Sequence, residues 1–128
     1  MTLDTLTPDP DLDADDFDEE TLAALGADGY VFKVWGGDWC IDCKQQLPAF
    51  AAALAAAGVP DDRIEHYPVT KAPEGKEGPG VEAYGIDLIP TVVVETPAGE
   101  ELARFVEDAD EPIAAFLARE LADVEATV

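Results

Sequence analysis

Cys40 and Cys43 are the only cysteines in a chain of 128 residues, and two residues, Ile41 and Asp42, separate them. On a helix, positions three apart share a face, so the pair can close a disulfide. Two thiols this close cannot staple distant loops, and a secreted disulfide scaffold needs more cysteines at wider spacing. The pair therefore reads as chemistry, and the chemistry is thiol–disulfide exchange: an outer thiolate attacks and an inner thiol resolves. Cys40 is the expected nucleophile because it falls at the start of a predicted helix, where unsatisfied N–H groups and the macrodipole stabilise an anion. A free cysteine titrates near about 8.5, and such a setting lowers that value. Cys43, one turn further in, is the expected resolver. Asp38 and Asp42 carry charges that oppose a thiolate at Cys40.

The elements that must hold this pair follow from periodicity. Residues 30–35 (Tyr-Val-Phe-Lys-Val-Trp) are β-branched or aromatic and apolar on both faces apart from Lys33, which suits a strand in the middle of a sheet, with Trp35 in the core. Gly36 and Gly37 break the strand. A helix is expected over 41–57, with Leu47, Phe50 and Leu54 on one face and a kink at Pro48, which lacks a backbone donor. Residues 63–69 read as a second, shorter strand containing His66, the single histidine, to which an ordinary structural position is assigned. Residues 70–80 form a loop by composition, with Lys71 and Lys76 in it; a role in choosing the substrate and a solvated insertion both remain open. A helical turn at 81–85, a hairpin of strands 91–95 and 101–106, and an amphipathic helix over 111–124 with Ile113, Phe116, Leu117 and Leu121 on one face complete the series. A first helix starts near Asp16 or Asp18 and stops between Gly26 and Gly29. The order implies an α/β fold: a mixed four-stranded sheet flanked by helices, five-stranded if residues 2–6 add an edge strand. Residues 1–15, acidic and bearing Pro8 and Pro10, are expected to be a mobile extension, and 16–128 the single domain.

Trp39-Cys40-Ile41-Asp42-Cys43-Lys44 resembles the W-C-x-x-C-K active site of the thioredoxin superfamily. Pro48 stands five residues after the second cysteine, as the helix-kinking proline does there. Tyr84-Gly85-Ile86-Asp87-Leu88-Ile89-Pro90-Thr91 is similar to the family's Y-G-I-x-x-I-P-T stretch. The resemblance spans residues 17–124 and implies a thioredoxin-like fold, a cis peptide before Pro90, a substrate strand paired with the backbone of Ile89, and Trp39 flanking the site. It also implies a disulfide reductase that passes through a Cys40 mixed disulfide. Two positions depart from the pattern. The buried aspartate that accepts the resolver's proton in typical thioredoxins is Val34 here, and the usual Gly-Pro between the cysteines is Ile41-Asp42. W-C-x-D-C resembles a thioredoxin-related subgroup with a narrower range of substrates. Asp42 then has two compatible readings. It stabilises the first turn of its helix by about 0.3–1 kcal/mol, or it handles the Cys43 proton in place of the missing acid.

Charge bounds the partners. Twenty-nine Asp and Glu against seven Lys and Arg leave a formal charge of −22, which repels nucleic acid and anionic lipid. Acids spread along the whole chain suit a halophilic protein, in which molar salt shortens the screening length to roughly 3 Å; a salt-dependent fold is expected. With no export signal visible, the expected compartment is the cytoplasm, and the expected partners are disulfide-bearing client proteins or small disulfides and an upstream disulfide reductase. The expected state is a monomer. No nucleotide or flavin fingerprint is present, so no cofactor is expected. A metal-binding or metal-delivery use of the two thiolates is an alternative, but structural zinc takes four ligands and one distant histidine does not complete the set. A redox-inert binding module is a further alternative, against which the retention of both cysteines, Trp39 and Pro90 weighs.

Overall fold

In a computed structural model, described here for residues 6–12, 14–26, 30–37, 41–72, 75–78, 80–86, 89–106 and 113–126, the chain forms one mixed sheet with helices against both faces. In chain order the elements are α1 (Glu19–Gly26), β1 (Val31–Gly36), α2 (Ile41–Ala56), β2 (Ile64–Pro68), β3 (Thr70–Ala72), β4 (Gly75–Glu77), α3 (Val81–Tyr84), β5 (Thr91–Glu95), β6 (Glu101–Val106) and α4 (Ile113–Ala126), with short 3-10 turns at Ala14–Asp16 and Asp61–Arg63. The four-stranded sheet has the order β2-β1-β5-β6. β1 runs parallel to β2 and antiparallel to β5, and β5 and β6 are an antiparallel hairpin. A parallel crossover through α2 followed by a hairpin and a closing helix is the thioredoxin-like arrangement, and the apolar β1 lies inside the sheet.

Strand periodicity divides the sheet into two unlike faces. Phe32 and Val34 of β1 stand opposite Val94 and Val92 of β5, which stand opposite Ala103 and Phe105 of β6. All of these are buried, together with Leu47, Phe50 and Leu54 of α2 and Ile113, Leu117 and Leu121 of α4. Phe32 meets Phe50 edge to face at 6.2 Å, and Phe105 meets Phe116 at 5.4 Å. These contacts put α2 and α4 on this face, and α1 packs on both. The other face carries Lys33, Trp35, Glu65, Tyr67, Glu95 and Arg104, and α3 lies against it through Tyr84.

Two local findings differ from the sequence expectations. Residues 70–80, read as a loop, contain the β3–β4 hairpin, with Thr70 opposite Glu77 and Lys71 opposite Lys76; a composition rich in glycine and proline does not prevent short pairing. The segment expected to be a free extension is packed against the domain from residue 6. Leu6 is 7% exposed within the core cluster, and the Asp9 N–H donates to the Pro48 carbonyl at 3.2 Å. Burying a leucine side chain stabilises by roughly 1.5–3 kcal/mol. The possible edge strand at 2–6 falls almost wholly outside the described residues. No helix among the described residues is long and apolar enough to cross a membrane.

Candidate functional site

Two chain segments lie beside the C-terminal end of β1, and α2 follows it in the chain. Gly36 pairs with Pro68, and its carbonyl accepts the Val69 N–H at 2.8 Å, so β2 ends beside it. Trp35 pairs with Thr91, the first residue of β5, which places Ile89 and Pro90 at the same end. α2 then begins at Ile41. Of the expected site residues, Trp39 and Cys40 lie outside the described residues, as does Asp38. Asp42 and Cys43 occupy the first turn of α2 as helical backbone. Ile89 is 3% exposed, Pro90 is buried, and the peptide between them is cis. Pro48 lies inside α2, seven positions after Ile41.

His66 is on the α2 face of the sheet, opposite Val34, and lines a shallow groove with Leu6, Pro8, Ala51 and Leu54. Val34, the position at which the resemblance marks the buried acid as missing, is fully buried beside it. Among the described residues, no three or more His, Cys, Asp and Glu side chains are placed to hold a metal.

The sheet does bury an acid, and it is on the opposite face. Glu95, at the end of β5, is 5% exposed. Its Oε1 lies 3.3 Å from Lys33 Nζ, and its Oε2 accepts the Tyr84 hydroxyl at 2.6 Å. Lys33 also donates to the Tyr84 oxygen at 3.1 Å and faces Glu65 at 3.8 Å. Glu65 in turn accepts the Tyr67 hydroxyl. The ammonium lies 5.3 Å from the centre of the Tyr84 ring and 6.0 Å from that of Tyr67. Burial works against the charge on Lys33, yet the bonds to Tyr84 and Glu95 and the fields of Tyr67 and Glu65 outweigh it and hold its pKa above the usual lysine range. Burial, reinforced by the bond to Glu65, pushes the Tyr67 phenol up as well.

Aromatic packing completes this cluster. Trp35 is fully buried, stacks on Tyr67 at 4.6 Å and 13°, and meets Tyr84 at 4.9 Å. Gly80, with φ +78°, closes over it: an added Cβ would sit 3.0 Å from the Trp35 ring. Arg104 donates to the Tyr84 carbonyl at 2.7 Å and forks onto Glu101 at 2.9 and 3.1 Å. Sequence reading missed the cluster. Its signal was Lys33 itself, because a lone charge inside a central apolar strand requires a buried partner. What periodicity does not reveal is which of twenty-nine acids that partner is.

The fold is similar to that of a protein of unknown function from Pseudomonas aeruginosa, with 20% sequence identity and a TM-score of 0.53 over 88% of this chain and 76% of that one. A thioredoxin-fold protein from Helicobacter pylori is similar at 12% identity and a TM-score of 0.39, over 87% of this chain and 100% of that one. Likeness at these identities extends to fold alone. No protein-family model matches the chain, and neither does any curated protein.

Proposed function

We propose that the chain is a thiol–disulfide oxidoreductase that reduces protein or small-molecule disulfides at Cys40 and Cys43. The observation that carries this reading is positional. The C-x-x-C motif spans the start of α2, directly after the central strand, and the sheet register brings Ile89 and Pro90 to that same end. Helix start, inner-strand end and the Ile-Pro-Thr stretch are the parts that the sequence resemblance requires to be neighbours.

In the proposed cycle the Cys40 thiolate attacks one sulfur of a client disulfide, forming a mixed disulfide and releasing the other client sulfur as a thiolate. Cys43, deprotonated, attacks the Cys40 sulfur; the Cys40–Cys43 disulfide forms and the second client thiol leaves. Two electrons pass to the client, and an upstream disulfide reductase returns them to the dithiol. Asp42, adjacent to Cys43 on the same turn, is the candidate acceptor of its proton. Trp39 and the Ile89 backbone are assigned to client binding. The setting proposed for this cycle is a monomer in a salt-rich cytoplasm, in keeping with the charge of −22.

Reduction of insulin disulfides in molar salt tests the reading. Wild type is expected to be active, Cys40→Ser to fall to background, and Cys43→Ser to accumulate mixed disulfides that Cys40→Ser does not form. Trapping by Cys40→Ser alone would reverse the two roles, and an inactive wild type would remove the reading.

A further inference from the structure

We propose that Lys33, Tyr84 and Glu95 form a positioning clamp that holds the segment carrying Ile89 and Pro90 in register with the end of β1, and so governs exchange with protein disulfides. The effect on exchange rests on the function proposed above; the clamp itself rests on geometry.

Residues 85–90 leave α3 at Tyr84 and join β5 at Thr91. One end of this segment is fixed by the sheet, where Thr91 pairs with Trp35. The other end departs from a helix of only four residues, flanked by Gly80 at φ 78° and Gly85 at φ 64°. A single turn of helix has too few internal bonds to persist alone, so its place is set by tertiary contacts. Those contacts converge on Tyr84. Its hydroxyl donates to Glu95 at 2.6 Å and accepts from Lys33 at 3.1 Å, its carbonyl accepts from Arg104 at 2.7 Å, and its ring lies 4.9 Å from Trp35.

Thr91 and Glu95 are the two ends of one strand. The Tyr84–Glu95 bond therefore closes residues 84–95 into a loop, with β5 as one side and buried Ile89 and Pro90 on the other. Lys33 ties that loop to β1, the strand that leads into the dithiol. One network thus refers both walls of the proposed site to a common origin. A client strand needs both walls aligned before its sulfur meets Cys40, whereas a small alkylating reagent needs only the thiolate.

Tyr84→Phe isolates the claim, because it keeps the ring on Trp35 and leaves the 3.3 Å Lys33–Glu95 pair in place. In wild type and variant, three quantities are compared: insulin reduction, alkylation of Cys40 by iodoacetamide, and amide hydrogen exchange. The variant loses both hydrogen bonds of the hydroxyl and is expected to reduce insulin at least about fivefold more slowly, the factor of a single net hydrogen bond, with alkylation unchanged. Exchange at the amides of 86, 89 and 91 is expected to rise by a similar factor of about five while the amides of β1 keep their protection. A purely structural role would instead raise exchange across the sheet. Unchanged exchange at 86, 89 and 91, or equal slowing of both reactions, overturns the clamp. If wild type reduces no disulfide at all, the functional reading fails, and the exchange pattern still decides whether the clamp exists.

Discussion

The two faces of the sheet are held by different physics. On the α2 and α4 side, Phe32, Val34, Val92, Val94 and Phe105 make a dry contact in which shape and volume matter and partner identity does not. On the α3 side, Lys33, Glu65, Tyr67, Tyr84 and Glu95 make a contact in which each group has named partners at bonding distance. A dry face tolerates exchange of one hydrocarbon for another of similar size. A polar face tolerates removal of a whole pair far better than removal of one member, because the survivor is left charged and desolvated. The first face stabilises the domain, and the second sets where particular segments sit.

The largest expected loss tests the dry face. Phe32→Ala removes a fully buried ring and its edge-to-face contact with Phe50, and denaturant unfolding should show about 3–5 kcal/mol less stability. A loss below about 1 kcal/mol would mean that the face is not packed as a solid.

The next test separates the faces. Lys33→Met leaves Glu95, whose side chain is 6% exposed, without its cation; the expected loss is about 3 kcal/mol. Adding Glu95→Gln removes the second charge but keeps an acceptor for the Tyr84 hydroxyl, and most of that loss should return. If the double variant is as unstable as the single one, the polar face is held by packing after all. The same pair predicts an alkaline limb. Lys33 has its pKa raised above the ordinary 10.5, so the native state keeps the proton that the unfolded state gives up first. Its contribution is complete below about 10.5 and is lost as pH rises through the raised value. Tyr67, also raised from its ordinary 10.0, acts in the same direction. Stability measured against pH should fall less steeply at high pH in Lys33→Met than in wild type. Equal slopes would remove Lys33 from the account.

The smallest expected effect marks where the polar face ends. Arg104 and Glu101 form a bidentate pair, but their side chains are 29% and 41% exposed. Glu101→Gln should cost under about 1 kcal/mol, and less still in molar salt. A larger loss would extend the buried network out to Glu101.

Much of this division is legible in the amino-acid sequence. β1 announces itself as an inner strand by being apolar on both sides, and Leu47, Phe50 and Leu54 repeat at the helical period that puts them in the core. Patterns of that kind are local, and a few residues suffice to state them. The polar face is not local. Lys33, Tyr84 and Glu95 come from three separate elements, and their bonds exist only once the strand order β2-β1-β5-β6 is formed. Composition also misleads at 70–80, where Gly and Pro counts describe turns and say little of the three-residue strands between them. Of the site itself, the motif is visible in the sequence and so is the stretch containing Ile89 and Pro90. Their meeting at one sheet end requires the register.

Leu6 gives the acidic N-terminal segment a double character. Its side chain is buried in the core cluster and lines a groove with Ala51, Leu54 and Val59, while Asp11, Asp15 and Asp16 are exposed. A protease cut between Leu6 and Thr7 would free that side chain and bare the groove, turning a segment that keeps molecules apart by charge into the exposure of a surface that brings them together. The practical edge of this domain therefore reaches at least to a leucine well upstream of the first helix.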